Sequence, residues 1–221
     1  RQGRETLLVS RRFVSMAAMH HAYLEWTITP VNWSGAAEVV TAIDGRVTNA
    51  GVPRYRQLES THLSPGGTEF AEPDVMALKT RTRQSEVSVS VAARTRVLSR
   101  GVELDVRRSD FRTPDHIQQS LHVDLEQGVP LTVEKSAALF TSRDPATGDT
   151  LARSCRSVAR SRSFDAAFDH HRESWDRLWR ACDMRVLGDD EAQHLLRVHI
   201  SHILQTCSHL TADLDAGVPA R

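Results

Sequence analysis

Cysteine is rare in this 221-residue chain, which has only Cys155, Cys182 and Cys207, and no two of them form a CxxC pair. An odd number of widely spaced cysteines argues against a disulfide framework and against a thiolate zinc site. They read instead as small buried apolar groups in helical segments of a protein kept in the reducing cytoplasm. Charge of one sign is also missing: 28 Lys and Arg balance 28 Asp and Glu, for a formal net charge of zero. The chain as a whole therefore has no bias toward nucleic acid or an anionic membrane. Lysine is scarce, and the abundant arginines are scattered. The one dense basic run, "RSCRSVARSRS" at 153–163, has no interleaved aromatics and no second patch, and reads as a solvated linker face. No apolar run is long enough to span a bilayer. An initiator Met, a signal peptide and a polar C-terminal tail are all lacking, so the chain reads as part of a longer protein.

What is present changes character along the chain. From residue 5 to about 143 the apolar groups alternate at a period of two. Leu24, Trp26 and Ile28 do so, then Val87, Val89 and Val91, then Val102, Leu104 and Val106, Leu121, Val123 and Leu125, and finally Leu131 and Val133. Such alternation predicts antiparallel strands with one buried face and one wet face. The segments "DGRVTNAG", "SPGG", "SRG" and "EQGVP" read as turns, with Asp44 before Gly45 in a hairpin. Many short strands with glycine-marked turns predict a β-sandwich or barrel.

After "SRDPATGDT" the period becomes helical. Phe164, Phe168, Trp175, Leu178, Trp179 and Cys182 share one broad face, and residues 165–183 contain no Gly or Pro. Asp165 and Asp169 early, with Arg177 and Arg180 late, suit the helix dipole. A break at "VLGDD" follows, and Asp189 or Asp190 can cap the next helix. That helix carries Leu196, Ile200, Ile203, Cys207 and Leu210 on a face apolar enough to need a partner.

Four stretches together resemble glycoside hydrolase family 65, the maltose, trehalose and kojibiose phosphorylases and their relatives. They are "SRRFVSMAAMHHAYLEWTITPVNWSG", "AIDGRVTNAGVPRYRQL", "ESWDRLWRACDMRVLGDDEAQHLLRVHISHILQT" and "TADLDAGVPAR", and they occur in the family's order. The resemblance implies a mainly β fold with C-terminal helices. Residues 1–145 would be an N-terminal β-sandwich of the galactose-mutarotase-like super-sandwich type, without its first strands. Residues 146–188 would be a helical linker, and 189–221 the start of an (α/α)6 catalytic barrel. It also implies inverting phosphorolysis of an α-glucosidic disaccharide, with inorganic phosphate as co-substrate and no cofactor. The family's general-acid Glu and its phosphate-holding residues belong to later barrel segments, so no catalytic residue is assigned. A fragment of this kind is expected to be inactive alone. The implied partners are the disaccharide and phosphate, with no nucleic acid and no membrane; a homodimer is compatible with this. The competing expectation, from the sandwich alone, is a non-catalytic carbohydrate-binding or assembly module.

Candidate chemistry in the residues themselves is thin. His194, His199 and His202 share a helix but lack the HExxH pattern, so packing or solvated roles are expected rather than metal ligation. The pairs His20–His21 and His170–His171 have no carboxylate at a telling spacing. Trp26 is in phase with Leu24 and Ile28 and should pack in the core; Trp33 at a turn is expected to pack as well. Trp175 and Trp179, one helical turn apart, read as docking groups rather than a sugar platform. Asp213 and Asp215 in "TADLDAG" read as loop-structuring.

Overall fold

The computed structural model of the chain describes residues 3–48, 51, 57, 60–145, 148–207 and 210. Ten strands come first: β1 (Thr6–Val14), β2 (His21–Pro30), β3 (Gly35–Asp44), β4 (Leu63–Glu72), β5 (Val75–Thr82), β6 (Ser88–Ser99), β7 (Val102–Glu103), β8 (Arg107–Thr113), β9 (His116–Leu125) and β10 (Leu131–Thr141). Three helices follow: α1 (Thr150–Ala159), α2 (Phe164–Cys182) and α3 (Asp190–Thr206). All strand pairs are antiparallel. One sheet runs β1-β2-β10-β6-β5-β4, with β7 hairpinned onto β6; the other runs β3-β9-β8.

The chain divides into two compact units, Arg1–Val14 with His20–Phe164, and Ser15–Met19 with Asp165–Arg221. In the first, the sheets close over an apolar interior. One cluster joins Val39, Val97, Leu121, Val123, Leu125, Leu131 and Val133, with Trp26, Ile28 and Trp33 packed against it. A second joins Met76, Leu78, Ala93 and Ile117. The alternation read in β2, β9 and β10 therefore marks the face that points inward.

In β6 the alternation is only half of the story. Val91 and Val97 face the interior, as their period requires. Ser90 and Ala92 on the opposite face are not wet but 0% exposed. Helix α1 covers them, through a cluster of Val75, Ala77, Ala92, Ala138, Phe140, Cys155 and Val158. Ser90 can be buried because its hydroxyl meets Thr150 Oγ1 at 2.7 Å. Asp149 starts this helix, accepting from the Leu151 and Ala152 amides.

Three expected local features differ. The run Val102–Val106 makes only a two-residue strand, and Val102 is exposed. The supposed turn at 64–67 is a register shift inside β4, between Pro65 and Gly67, where a Cβ on Gly66 would come within 2.9 Å of the Lys79 carbonyl. Asp44 does not begin a hairpin. It ends β3, which pairs with β9, and it binds the Arg46 side chain. Gly45 is needed there for a close approach: its amide donates to the Asp115 carbonyl at 2.8 Å, and a Cβ would meet that oxygen at 3.1 Å.

In the second unit, α2 has Asp165 in its first turn and Arg180 in its last, as the dipole favours. Asp189 caps α3, accepting from the Ala192 amide at 2.9 Å. Of the apolar face of α3, Ile200 is buried and Leu196 partly buried, while Ile203 and Cys207 are exposed.

Candidate functional site

The structure disperses most of the candidate residues. Trp26 and Trp33 pack on the sandwich core and donate their ring N–H groups to Ser10 Oγ at 3.1 Å and to Thr6 Oγ1 at 3.0 Å, respectively. Neither is a free sugar platform. Trp175 and Trp179 are half-buried and stack on each other, centroids 6.4 Å apart. His194, His199 and His202 are exposed, and no group of three or more His, Cys, Asp or Glu suited to a metal occurs among the described residues. Asp213 and Asp215 lie outside the described residues. The cysteines are free thiols, as expected, but only Cys155 is buried; Cys207 at the end of α3 is exposed. Burial and the Glu69 carboxylate push the Cys155 thiol up to about 11, so it is not a poised nucleophile.

The histidine pairs find partners, most of them distant in sequence. His20 has a positive φ of 79°, stacks on Phe140 at 4.0 Å and lies 4.0 Å from Asp144. His170 lies 3.6 Å from Glu173, so, contrary to expectation, that pair does have a carboxylate at a helical i,i+3 spacing. His171 Nδ1 meets the Met16 amide at 3.1 Å. His21 Nε2 is 2.8 Å from Ser157 Oγ, while its Nδ1 is buried with no partner among the described residues. Burial, then the neighbouring His20, holds the His21 pKa below its ordinary value; burial does the same for His171.

This fixes a sign for the acid response. Both rings stay neutral in the folded chain where the unfolded chain already takes up protons, near pH 6.5. Their stabilising effect is complete above pH 6.5 and is lost as pH falls from there through the folded values. The urea midpoint should therefore drop between pH 7 and pH 5, and His21→Gln should flatten that drop. An unchanged pH slope in His21→Gln would remove His21 from the account.

The concavities of the sandwich unit include a groove and a trough. The groove, of about 600 Å³, is lined by Leu104, Val106, Val123 and Leu131 together with Asp105, Arg107, His122 and Asp124. A trough of about 330 Å³ lies on the inward face of β1, β2 and β10, between Val14, Leu24 and Ala137. Lys135 lines it; its amine donates to the Ala42 carbonyl at 2.7 Å, and burial lowers its pKa to about 8. Among the described residues, none of these arrangements pairs a nucleophile, a base and an orienting group.

Comparison with known proteins supplies what the side chains do not. A family model, "Glycosyl hydrolase family 65, N-terminal domain", matches residues 1–178. The chain belongs to glycosyl hydrolase family 65. An uncharacterised glycosyl hydrolase of Mycobacterium tuberculosis is 37% identical over 99% of this family 65 chain and 16% of that protein. The kojibiose phosphorylase of Halothermothrix orenii is 29% identical, covering 94% of this chain and 27% of the enzyme. The trehalose 6-phosphate phosphorylase of Lactococcus lactis is 24% identical over 97% of this chain and 26% of that protein. A solved structure from the human microbiome, described as a kojibiose phosphorylase, superposes with a TM-score of 0.75 at 13% identity, over 93% of this chain and 26% of its own. At that identity the likeness speaks for the fold alone. The family 65 chain thus spans between about a sixth and about a quarter of the relatives it matches. Among its described residues no helix is long and apolar enough to cross a membrane.

Proposed function

We propose that this chain is the N-terminal portion of a cytoplasmic enzyme that splits an α-glucosidic disaccharide by inverting phosphorolysis. The observation that carries this reading is the match to a kojibiose phosphorylase over 94% of the chain. Residues 1–145 form the sandwich domain, 146–188 the linker and 189–221 the start of the catalytic barrel. Inorganic phosphate is the co-substrate, with no metal or organic cofactor. An inverting hydrolase needs a second carboxylate to activate water. Phosphate is already an anionic nucleophile, so groups that hold it in line replace that carboxylate. The acid and the phosphate-holding groups belong to the segments that complete the barrel, and the enzyme is compatible with a homodimer.

The 221-residue chain is expected to release neither glucose nor glucose 1-phosphate from kojibiose, trehalose or maltose, with or without phosphate. The complete gene product is expected to release glucose 1-phosphate only when phosphate is present. Release of glucose without phosphate would make the enzyme a hydrolase. Turnover by the 221-residue chain would overturn the division of labour.

A second reading, a carbohydrate-binding module, is favoured by the groove of the sandwich unit, whose lining combines Asp105, Asp124, Arg107 and His122 with apolar Leu104 and Val106. Saturable binding of maltose by the chain, abolished in Asp105→Ala/Asp124→Ala, would support it.

A further inference from the structure

The unit built from α2 and α3 holds a cationic cleft that the phosphorolysis reading does not use. Trp179 and Arg180 near the end of α2, Asp183 and Arg185 in the connector, and Arg197 on α3 line a space of about 580 Å³, within the size range of small-molecule sites. The connector is pinned rather than loosely tethered. Arg197 grips Asp183 with two bonds, Nε to Oδ1 at 2.9 Å and Nη2 to Oδ2 at 2.7 Å. One turn earlier on α3, Gln193 accepts from the Val186 amide at 2.9 Å and donates to the Met184 carbonyl at 3.1 Å.

The charges do not cancel. Three guanidinium groups face one carboxylate, and that carboxylate already gives both oxygens to Arg197. Arg180 and Arg185 have no hydrogen-bonded carboxylate among the described residues. Arg185 feels the charge of Asp183, but Asp183 is the one carboxylate in the lining against three guanidinium groups, so the lining keeps an excess of positive charge. Trp179 adds a half-buried ring, stacked on Trp175 behind it.

We propose that this cleft binds a sugar phosphate monoester. Planar guanidinium forks match the oxygens of a phosphate dianion, which fits Arg180 and Arg185. Trp179 offers an apolar face for the C–H side of a sugar ring. A lone phosphate would use the arginines and leave the ring idle, so the ester is the better match for the whole lining. Binding is read without turnover, so this inference stands or falls apart from the phosphorolysis reading.

The test is calorimetric titration of the 221-residue chain at constant ionic strength with glucose 6-phosphate, inorganic phosphate and glucose. Glucose 6-phosphate should bind at least about tenfold more tightly than inorganic phosphate, and glucose should not bind measurably. Arg180→Gln/Arg185→Gln should weaken glucose 6-phosphate at least about tenfold, and Trp179→Leu should reduce it to the level of inorganic phosphate. Arg156→Gln, on α1, should change nothing. Circular dichroism melts of each variant confirm that the fold is kept. Equal affinity for phosphate and its sugar ester would assign the cleft to free phosphate and overturn the proposal. So would full affinity in the double variant, or displacement by chloride at matched ionic strength.

Discussion

Ile117→Ala should lower the unfolding free energy by about 3 kcal/mol, within the range of roughly 2–5 seen for buried aliphatic truncation to alanine. Ile117 sits in β9, the middle strand of the smaller sheet, and is 0% exposed. It is buried with Met76, Leu78 and Ala93 of the larger sheet, with Ile43, Phe70 and Ala137 around them. Strands on both sides hold the β9 backbone in register, so the space left by the lost side chain cannot close by a local shift. A loss of that size is a large share of the ~5–15 kcal/mol that keeps a typical domain folded. The urea midpoint should move with its slope unchanged. Val40→Ala, on the exposed side of β3, should stay within about 0.5 kcal/mol. Equal midpoints for the two variants would refute the packing between the sheets.

Val158→Asp should cost about 3–5 kcal/mol, the penalty expected for an unpaired buried charge. Val158 is 0% exposed where α1 meets the outer face of the larger sheet. The same helix is tied down by polar contacts on all sides. Thr150 meets Ser90, Ser157 meets His21, and the Ala159 carbonyl accepts from Arg94 Nη1 at 3.3 Å. Ser161, just past the helix, meets Ser136 at 2.7 Å. These bonds position the helix, but the apolar cluster holds it. Hydrogen exchange over 150–159 should therefore become fast in Val158→Asp, while the β9 and β10 amides stay protected. Arg156→Asp, on the exposed side of the helix, should leave that exchange pattern as it is. Continued protection of 150–159 in Val158→Asp would show that the hydroxyl contacts alone suffice.

The sandwich was legible because one sheet face is buried along its length, and burial on one face imposes period two on Leu24–Ile28, Leu121–Leu125 and Leu131–Val133. The covering of Ser90 and Ala92 was not legible. It depends on a helix that arrives some sixty residues later in the chain (Ser90 meets Thr150), and small residues on a strand look solvated unless that helix is known. The turn-like "SPGG" misled for a related reason: glycine serves a bulge and a close backbone approach as well as a turn. His20 and Asp144 are 124 positions apart, so no spacing rule could join them. The cationic cleft was hidden in the same way. Arg180 read only as a complement to the helix dipole, and Arg185 and Arg197 as members of a scattered set of arginines, until two helices and a pinned connector bring them to one place. Helix α3 was legible as a helix and as an apolar face, and the structure leaves Ile203 and Cys207 of that face exposed.

The position of β10 sets the order in which the molecule can be made. It lies between β2 and β6 in the middle of the larger sheet, with Leu131 opposite both Ile28 and Ser99. During synthesis the β1–β2 hairpin and the β4–β5–β6 meander can each form from neighbouring residues. They remain two unconnected half-sheets until residues 131–141 leave the ribosome and join them. The smaller sheet waits almost as long, because β3 pairs with β9 across about eighty residues. Loop closure on this scale makes assembly slow compared with local hairpins. The nascent chain must therefore keep the open edges of β2, β3 and β6 from pairing with neighbouring chains until the tenth strand arrives.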